Sequence, residues 1–301
     1  MSTFLDSCPL CHARTLAHFL SARDVHYGIP GTYDLARCSE CSLVFVNPMY
    51  SGEELTSLYP SDYYAYAEEP ALGKWKRIAK RLLGYWQGTK EPYFLKPGTF
   101  LDVGCGSGSF LRNMAARGWD SYGVEVNRAA TDLGCFQGLK IHPGTLQEAR
   151  FPSAYFDYVR ASHSFEHISC PHETLDEIHR ILKPSGVLLL AVPNIDSVTA
   201  RMFKSNWWHL CPPIHPLSYS PRTLTRLLAQ HSFDIKRVVF NSDYVGLLGS
   251  IQIWLNDGLE RPSAGNLFRS KPLRVLSGWV ERFYDLARRG DMFEITAAPV
   301  L

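Results

Sequence analysis

The 301-residue sequence predicts an α/β fold with a seven-stranded, mostly parallel sheet and helices on both of its faces. From Lys96 onward, short apolar segments alternate with segments of helical periodicity, which is typical of such a sheet. Near the start of this alternation, three glycines at every second position separate a strand from a helix, as in turns that hold a ligand against bare backbone. A pattern of cysteines near the start of the chain predicts a small additional module. We therefore expect a module at 1–50, a linker with a helical cap at 51–95 and the α/β domain at 96–301.

The composition is that of an ordinary soluble protein, with 46% hydrophobic and 20% charged residues. A net charge of +2 provides no general attraction for nucleic acid. The first residues lack the basic and then apolar pattern of a signal peptide, and the apolar run 187–192 is too short to cross a bilayer. We expect a cytoplasmic protein, whose cysteines are thiols or metal ligands rather than disulfides.

Four of the eight cysteines form two C-x-x-C pairs, Cys8 with Cys11 and Cys38 with Cys41, separated by 26 residues. This spacing matches a zinc ribbon, in which each pair forms one tight turn and four thiolates surround the ion. Such a shell has no open position, so the zinc would be structural. The alternative is four thiols without an ion. Two correctly spaced pairs favour zinc.

The segment before the α/β domain has two features, each with two interpretations. An aromatic cluster at 59–66, which includes Tyr63 and Tyr64, is either a flap over a ligand or a packed linker. Residues 71–86 predict a basic amphipathic helix. Such a helix can lie on an anionic membrane surface, but the pattern favours a solvated face over a packed apolar stripe.

Seven strands are predicted in the α/β domain, at 100–103, 121–126, 139–142, 156–162, 187–192, 235–240 and 293–297. A helix over 171–183 precedes the fifth strand, because acidic residues fill its first half, basic residues lie at its end and Pro184 with Gly186 stops it.

Two further helices are predicted in an insertion at 246–290. The second of them carries an apolar stripe at Leu273, Leu276, Val280 and Phe283. The insertion is suited to cover the substrate site, to form a homodimer face or to contact a membrane, and core packing explains the stripe equally well.

Four motifs, in this order, resemble those of class I S-adenosylmethionine-dependent methyltransferases: FLDVGCGSGSF, YGVEV, FDYVRASHSFEHI and LKPSGVLLLAVPN. The resemblance covers about residues 70–301 and implies a Rossmann-like domain. The cysteine pairs followed by LVFVNP resemble a bacterial subgroup that methylates sugars and other small molecules. A dinucleotide-dependent dehydrogenase would need glycine at position 109, where this chain has Ser109.

The resemblance also implies how S-adenosylmethionine is bound. Glu125, at the end of the second strand, accepts hydrogen bonds from the ribose hydroxyls. Thr145 and Leu146 border the adenine, although many relatives have Asp where Thr145 stands. The remaining contacts are assigned to the methionine part and its surroundings: Asp102, Gly104, Cys105, Gly106, Gly108, Val126 and His163.

The fourth strand ends in SHSFEH, at the edge of the sheet where ligands bind in open α/β folds. This placement puts His163 near the sulfonium, and Glu166 and His167 near the acceptor. A histidine there can take a proton from an acceptor hydroxyl, and His167 is preferred over His163. Alternatively, His167 only binds backbone. One carboxylate beside two histidines does not by itself predict a metal site.

A segment rich in aromatic residues, prolines and histidines follows the fifth strand and is expected to lie over the acceptor. Its candidate substrate contacts are Trp207, His209, His215 and Tyr219. Equally, the tryptophans and prolines there could only stiffen a surface loop.

The sequence therefore predicts in-line methyl transfer from S-adenosylmethionine to an oxygen of a small molecule, with His167 as the base. A sugar, a glycan intermediate or a quinone-like or polyketide-like metabolite is the expected acceptor. A ribosomal RNA methyltransferase with a zinc module is a second hypothesis, but segment 8–41 has only three arginines and no lysine for phosphate binding. A third is a cofactor-binding protein without activity, whose ribbon recruits a partner.

Overall fold

The computed structural model describes residues 2–50, 52–58, 96–257, 259 and 261–300. The strands are β1 Leu16–Ala22, β2 Tyr33–Cys38, β3 Val44–Val46, β4 Thr99–Val103, β5 Asp120–Glu125, β6 Lys140–Pro143, β7 Phe156–Ser162, β8 Leu182–Pro193, β9 Leu217–Ser218, β10 Phe233–Phe240 and β11 Met292–Pro299. The helices are α1 Gly52–Ser57, α2 Ser109–Ala115, α3 Arg128–Phe136, α4 Pro171–Ile181, α5 Val198–Phe203, α6 Pro221–Gln230, α7 Val245–Leu255 and α8 Lys271–Leu286. The aromatic cluster at 59–66, with Tyr63 and Tyr64, and the helix predicted at 71–86 lie outside the described residues.

The larger sheet has the order β10-β11-β8-β7-β4-β5-β6, and only β11 runs against the other strands. The predicted seven-stranded, mostly parallel fold is confirmed. From β4 the chain continues to β5 and β6 on one side, and then returns to β7 on the other. The strand order therefore reverses between β4 and β7, which is where open α/β sheets form a ligand crevice.

Strand β8 begins earlier than predicted. The KPSG segment that was expected to end a helix lies inside this strand, where the register against β7 shifts between Phe156 and Tyr158. Helix α4 accordingly ends at Ile181 rather than at Lys183. Pro184 and Gly186 thus lie in a bulge inside β8 rather than in a separate turn before the strand.

The smaller sheet is antiparallel, with the order β1-β2-β3-β9. Its first three strands belong to the N-terminal module, whereas β9 comes from the segment after β8. Phe45 pairs with Leu217, and the Val46 N–H donates to the Pro216 carbonyl at 2.9 Å. The main hydrophobic core likewise contains Cys8 and Phe45 together with residues of the larger domain. The module and the α/β domain therefore share both a sheet and a core.

Helix α8 departs most from the prediction, because its apolar stripe faces outward. Leu276 is 62% exposed and Phe283 is 67% exposed, and Trp279 and Leu286 share this exposed face. The opposite face buries Ser277, Gly278, Glu281 and Asp285. Polar bonds hold this inner face: the Ser277 hydroxyl donates to the Tyr244 carbonyl, and the Asp285 carboxylate accepts from Ser242. Core packing does not explain the stripe, and contact with a second copy or a membrane stays a prediction.

Among the described residues, none of the helices combines the length and the apolar character that crossing a bilayer requires.

Candidate active site

The glycine turn between β4 and α2 is a left-handed segment. Gly104, Gly106 and Gly108 have φ values of 73°, 54° and 81°, which side chains rarely adopt. A Cβ on Gly104 would lie 2.4 Å from the Ser164 Cβ, so the turn packs directly against the segment that follows β7. The Ser164 hydroxyl also donates to the Val103 carbonyl at 2.6 Å. The structure thus brings the glycine turn and the SHSFEH segment into contact.

Glu125 is buried at the end of β5, beside the glycine turn. Its Oε2 accepts the Gly106 N–H at 2.9 Å, and its Oε1 accepts the Asn127 N–H at 2.8 Å. Burial raises the pKa of Glu125, and these two N–H bonds partly oppose that shift. The Val126 N–H also acts on this carboxylate, and the contact of Glu125 with a ribose stays a prediction. Val126, the next residue, is exposed.

Asp102 has a partner that the sequence did not reveal. The Arg160 guanidinium donates to both carboxylate oxygens of Asp102, at 2.8 and 3.0 Å, and lies 3.9 Å from the centre of the Phe110 ring. Burial raises the pKa of Asp102, and the arginine opposes this. Asp102 and Arg160 are register partners on β4 and β7, so strand pairing alone brings them together. A cofactor ammonium would therefore share this carboxylate with Arg160.

Three other predicted cofactor residues lie in different surroundings. Cys105 is partly buried against Gly123, and burial raises the pKa of its thiol well above the ordinary value. Thr145 is exposed, and both its N–H and its hydroxyl donate to the Glu148 carboxylate, at 2.7 and 2.9 Å. Leu146 is buried in the main core. Their adenine and methionine contacts stay predictions.

The SHSFEH segment forms a strained turn and then one short 3-10 turn over 165–167. His163 has a φ of 54°, and its N–H donates to the Ala191 carbonyl on β8 at 2.8 Å. Its ring is 38% exposed. His163 therefore follows the carboxyl end of β7, beside the point where the strand order reverses, and its contact with the cofactor stays a prediction.

A group of polar side chains, one buried and three half-buried, lies near His163, and we call it the histidine cluster. Its members are Glu166, His167, His209 and His215. The His167 Nδ1 donates to the Ile214 carbonyl at 3.0 Å, and the His215 Nδ1 donates to the His209 carbonyl at 2.9 Å. Since a carbonyl oxygen can only accept, the His215 ring carries its proton on Nδ1 and a lone pair on Nε2, whereas the His167 ring also interacts with the His163 backbone. The two rings lie 4.5 Å apart, edge to face.

Several polar atoms of this region lack hydrogen-bond partners within the described part of the chain: Glu166 Oε2, His209 Nε2 and Tyr219 OH. Glu166 is 2% exposed, and its Oε1 lies 3.8 Å from the His163 Nδ1. Burial raises the pKa of Glu166 to about 8 and lowers the pKa of both His163 and His167 to about 4. The histidines are therefore neutral at physiological pH.

The aromatic segment after β8 divides into two parts. His209 and His215 join the histidine cluster, and their contact with an acceptor stays a prediction. Trp207 and Tyr219 are each 1% exposed instead. The Trp207 Nε1 donates to Asp291 at 3.2 Å, and the Tyr219 ring packs on Phe165. Trp207 has no open face toward a cleft in this structure, so its substrate contact stays a prediction.

The four N-terminal cysteines form a compact group. All four Sγ atoms lie within 4.8 Å of one another, with 3.5 Å between Cys8 and Cys41 and 3.5 Å between Cys11 and Cys38. Both pairs make the same backbone bonds, since the His12 N–H donates to the Cys8 carbonyl as the Ser42 N–H donates to that of Cys38. Two matching turns that aim four thiols at one point fit a structural zinc ion.

The family of the chain follows from comparison with known proteins. A family model described as a methyltransferase domain matches residues 68–238, more than half of the chain. The chain belongs to this family. The assignment to the class I S-adenosylmethionine-dependent methyltransferases, predicted from the four motifs, is thereby confirmed.

Individual relatives are more distant. The chain is 34% identical over 103 residues to a ubiquinone biosynthesis O-methyltransferase of Caulobacter vibrioides, covering 32% of this chain and 41% of that protein. It is 25% identical over 158 residues to an uncharacterized 37.1 kDa protein in a Streptomyces fradiae transposon, covering 48% and 46%. The chain thus spans less than half the length of these relatives.

A solved structure supports the fold. A complex of the Haloferax volcanii Trm112 methyltransferase activator with a candidate methyltransferase matches with a TM-score of 0.51 and 19% identity. The match covers 74% of this chain and 89% of that one.

Proposed function

We propose that this protein transfers the methyl group of S-adenosylmethionine to an oxygen atom of a small molecule. One observation carries the proposal: Ser164, the residue after His163, packs against Gly104, which supports a shared site of the glycine turn and the SHSFEH segment at the ends of β4 and β7. The similarity to O-methyltransferases of ubiquinone biosynthesis supports an oxygen acceptor. A sugar, a glycan intermediate or a quinone-like metabolite fits this chemistry.

The cofactor side of the crevice needs a group that accepts hydrogen bonds from the ribose hydroxyls and a carboxylate that binds the methionine ammonium. Glu125, held by the Gly106 and Asn127 N–H groups, supplies the first. Asp102, held by Arg160, supplies the second. Because both carboxylates are fixed by other groups before the cofactor binds, little ordering remains to be done on binding.

On the acceptor side, we assign the proton acceptor to His163. Its ring is the more open to the crevice, whereas the His167 Nδ1 is committed to the Ile214 carbonyl and its ring lies against His215. The acceptor oxygen gives its proton to the neutral His163 imidazole as it attacks the methyl carbon. The carbon–sulfur bond breaks in line, and S-adenosylhomocysteine leaves.

We also assign a structural zinc ion to Cys8, Cys11, Cys38 and Cys41, on the basis of the matching turns around the four thiols. When bound, the ion would cross-link the two turns, and it supplies no chemistry to the crevice.

Two measurements test the function. Calorimetry with S-adenosylmethionine is expected to show binding, and incubation with nucleotide sugars and reduced quinones is expected to yield S-adenosylhomocysteine and an acceptor heavier by one methylene. His163→Gln is expected to keep cofactor binding and to lose turnover. Binding without turnover on any acceptor would replace the proposal by the cofactor-binding protein without activity.

A further inference from the structure

Three side chains of the histidine cluster converge from two distant parts of the chain. Glu166 and His167 follow β7, His215 precedes β9, and one ligand atom of each lies within 4.8 Å of the others. Two imidazoles and one carboxylate are a donor set that divalent transition metals accept, with coordination positions left for other ligands. Metal–nitrogen and metal–oxygen bonds of about 2.0–2.2 Å require ligand atoms about 3 Å apart, so small side-chain rotations would close the group on an ion.

A second observation points to a ligand in the same place. Glu166 is 2% exposed, and its Oε2 accepts no hydrogen bond from the described residues. A buried carboxylate oxygen without a donor is costly unless a cation or another donor reaches it. The Tyr219 hydroxyl and the His209 Nε2 in the same region are also buried and unpartnered within the described part of the chain.

The two histidines are oriented as metal ligands are. In protein metal sites, the ring nitrogen that does not bind the ion usually donates to a carbonyl or carboxylate, which fixes the tautomer. The His167 and His215 Nδ1 atoms donate to the Ile214 and His209 carbonyls in this manner. The His215 Nε2 therefore carries a lone pair.

We propose that Glu166, His167 and His215 bind one divalent transition-metal ion, in addition to the zinc ion at the cysteines. Zinc, iron(II), manganese(II) and nickel(II) all suit this donor set. The site is next to His163, whose Nδ1 lies 3.8 Å from a Glu166 oxygen. The ion is therefore beside the place where the acceptor oxygen must lie.

Given the proposed function, the ion would hold the acceptor oxygen and weaken its O–H bond as a Lewis acid. The proton passes to His163, the oxygen–methyl bond forms, the carbon–sulfur bond breaks and S-adenosylhomocysteine leaves. No electron is transferred and no co-reactant is required. The acceptor is then a compound that can offer a metal-binding hydroxyl, such as a vicinal diol or a catechol.

Metal content of the untagged full chain tests the site directly. Elemental analysis after incubation with excess zinc and desalting is expected to give about two ions per wild-type chain. Glu166→Gln and His215→Ala are each expected to give about one, because the cysteine site remains. His18→Gln, which changes an exposed histidine outside the cluster, is the matched control and is expected to keep two.

Cobalt(II) spectra identify the lost ion. In both cluster variants, the sulfur-to-metal absorption of cobalt at the cysteines is expected to remain while total cobalt falls by half, which also shows that the variants are folded. Equal metal content in the wild type and both variants would overturn the site. Calorimetry with S-adenosylmethionine on the same samples separates the two proposals: cofactor binding without a second ion refutes the metal site alone, and two ions without cofactor binding refute the proposed function alone.

Discussion

The cysteine group and three members of the histidine cluster, Glu166, His167 and His215, are both sets of ligand-type side chains within 4.8 Å of one another, yet only the first was predicted from the sequence. Each cysteine pair spans four residues, and one backbone turn places both thiols. His167 and His215 are 48 positions apart, and they meet only because β8 and the segment after it return to the edge of the sheet. A site formed by local turns can thus be predicted from the spacing of its residues, whereas a site that the fold assembles from distant segments cannot.

Loss of one cysteine should have the largest effect. Cys38→Ser is expected to release the zinc ion and to unfold the N-terminal module, since structural zinc sites supply about 10–16 kcal/mol of apparent binding free energy. Because β3 pairs with β9, the histidine cluster should lose order as well. Elemental analysis and thermal unfolding measure both, and the exposed Cys135→Ser is the control. Unchanged metal content in Cys38→Ser would show that the cysteine group binds no metal ion, so the two groups could no longer be compared as metal sites.

Substitution of a cofactor-binding residue should change the affinity for S-adenosylmethionine without changing the metal content of the cysteine group or the histidine cluster. Glu125→Ala is expected to weaken S-adenosylmethionine binding by about 1.5–3 kcal/mol, the scale of hydrogen bonds to a charged group, and to leave metal content unchanged. Calorimetry measures the affinity, with the exposed Glu173→Ala as the control. An unaltered affinity would refute the ribose role of Glu125.

The contact between the glycine turn and the SHSFEH segment can be tested with a matched pair of glycines. Gly104 and Gly138 have similar positive φ values, but a Cβ would meet Ser164 at Gly104 and nothing within 4 Å at Gly138. Both alanine variants should lose about 1 kcal/mol of stability from the left-handed backbone. Only Gly104→Ala should lose more than this and also bind the cofactor more weakly. Equal losses of stability and affinity in the two variants would show that the contact is unimportant.

The smallest effect should be a dependence of the stability on pH that comes from Asp291, which contacts the segment after β8. Burial raises the pKa of Asp291, which accepts from Ser197 and Trp207, to about 7. In the unfolded chain this group ionises near its ordinary value of about 3.9. Its contribution to stability is therefore present at acidic pH and is lost as the pH rises through 7.

Asp291→Asn keeps the acceptor oxygen but cannot ionise. The fall in melting temperature between pH 5.5 and 8, an interval of about 2.5 pH units around the folded pKa, should be shallower in this variant than in the wild type. Parallel curves for the two proteins would contradict the shifted pKa.

The sequence predicted the elements whose local signals agree with their tertiary surroundings. Strand β7 has the predicted bounds, and the glycine turn and the seven strands are present. The direction of the α8 stripe was left open, because Leu and Phe residues at helical spacing indicate only that one face is apolar and not which way it faces. The Asp102–Arg160 pair was missed because it depends on strand register. The role of His215 depended on a loop whose path no periodicity encodes.

Strand β9 prevents a clean separation of the N-terminal module from the α/β domain. Its two residues supply the last strand of the sheet that the N-terminal module begins, and they come two positions after His215. A fragment starting at residue 96 would retain every motif of the methyltransferase family and still expose an unpaired strand edge beside its own acceptor pocket. The module is therefore joined to the segment after β8 by strand pairing and is not an independent domain.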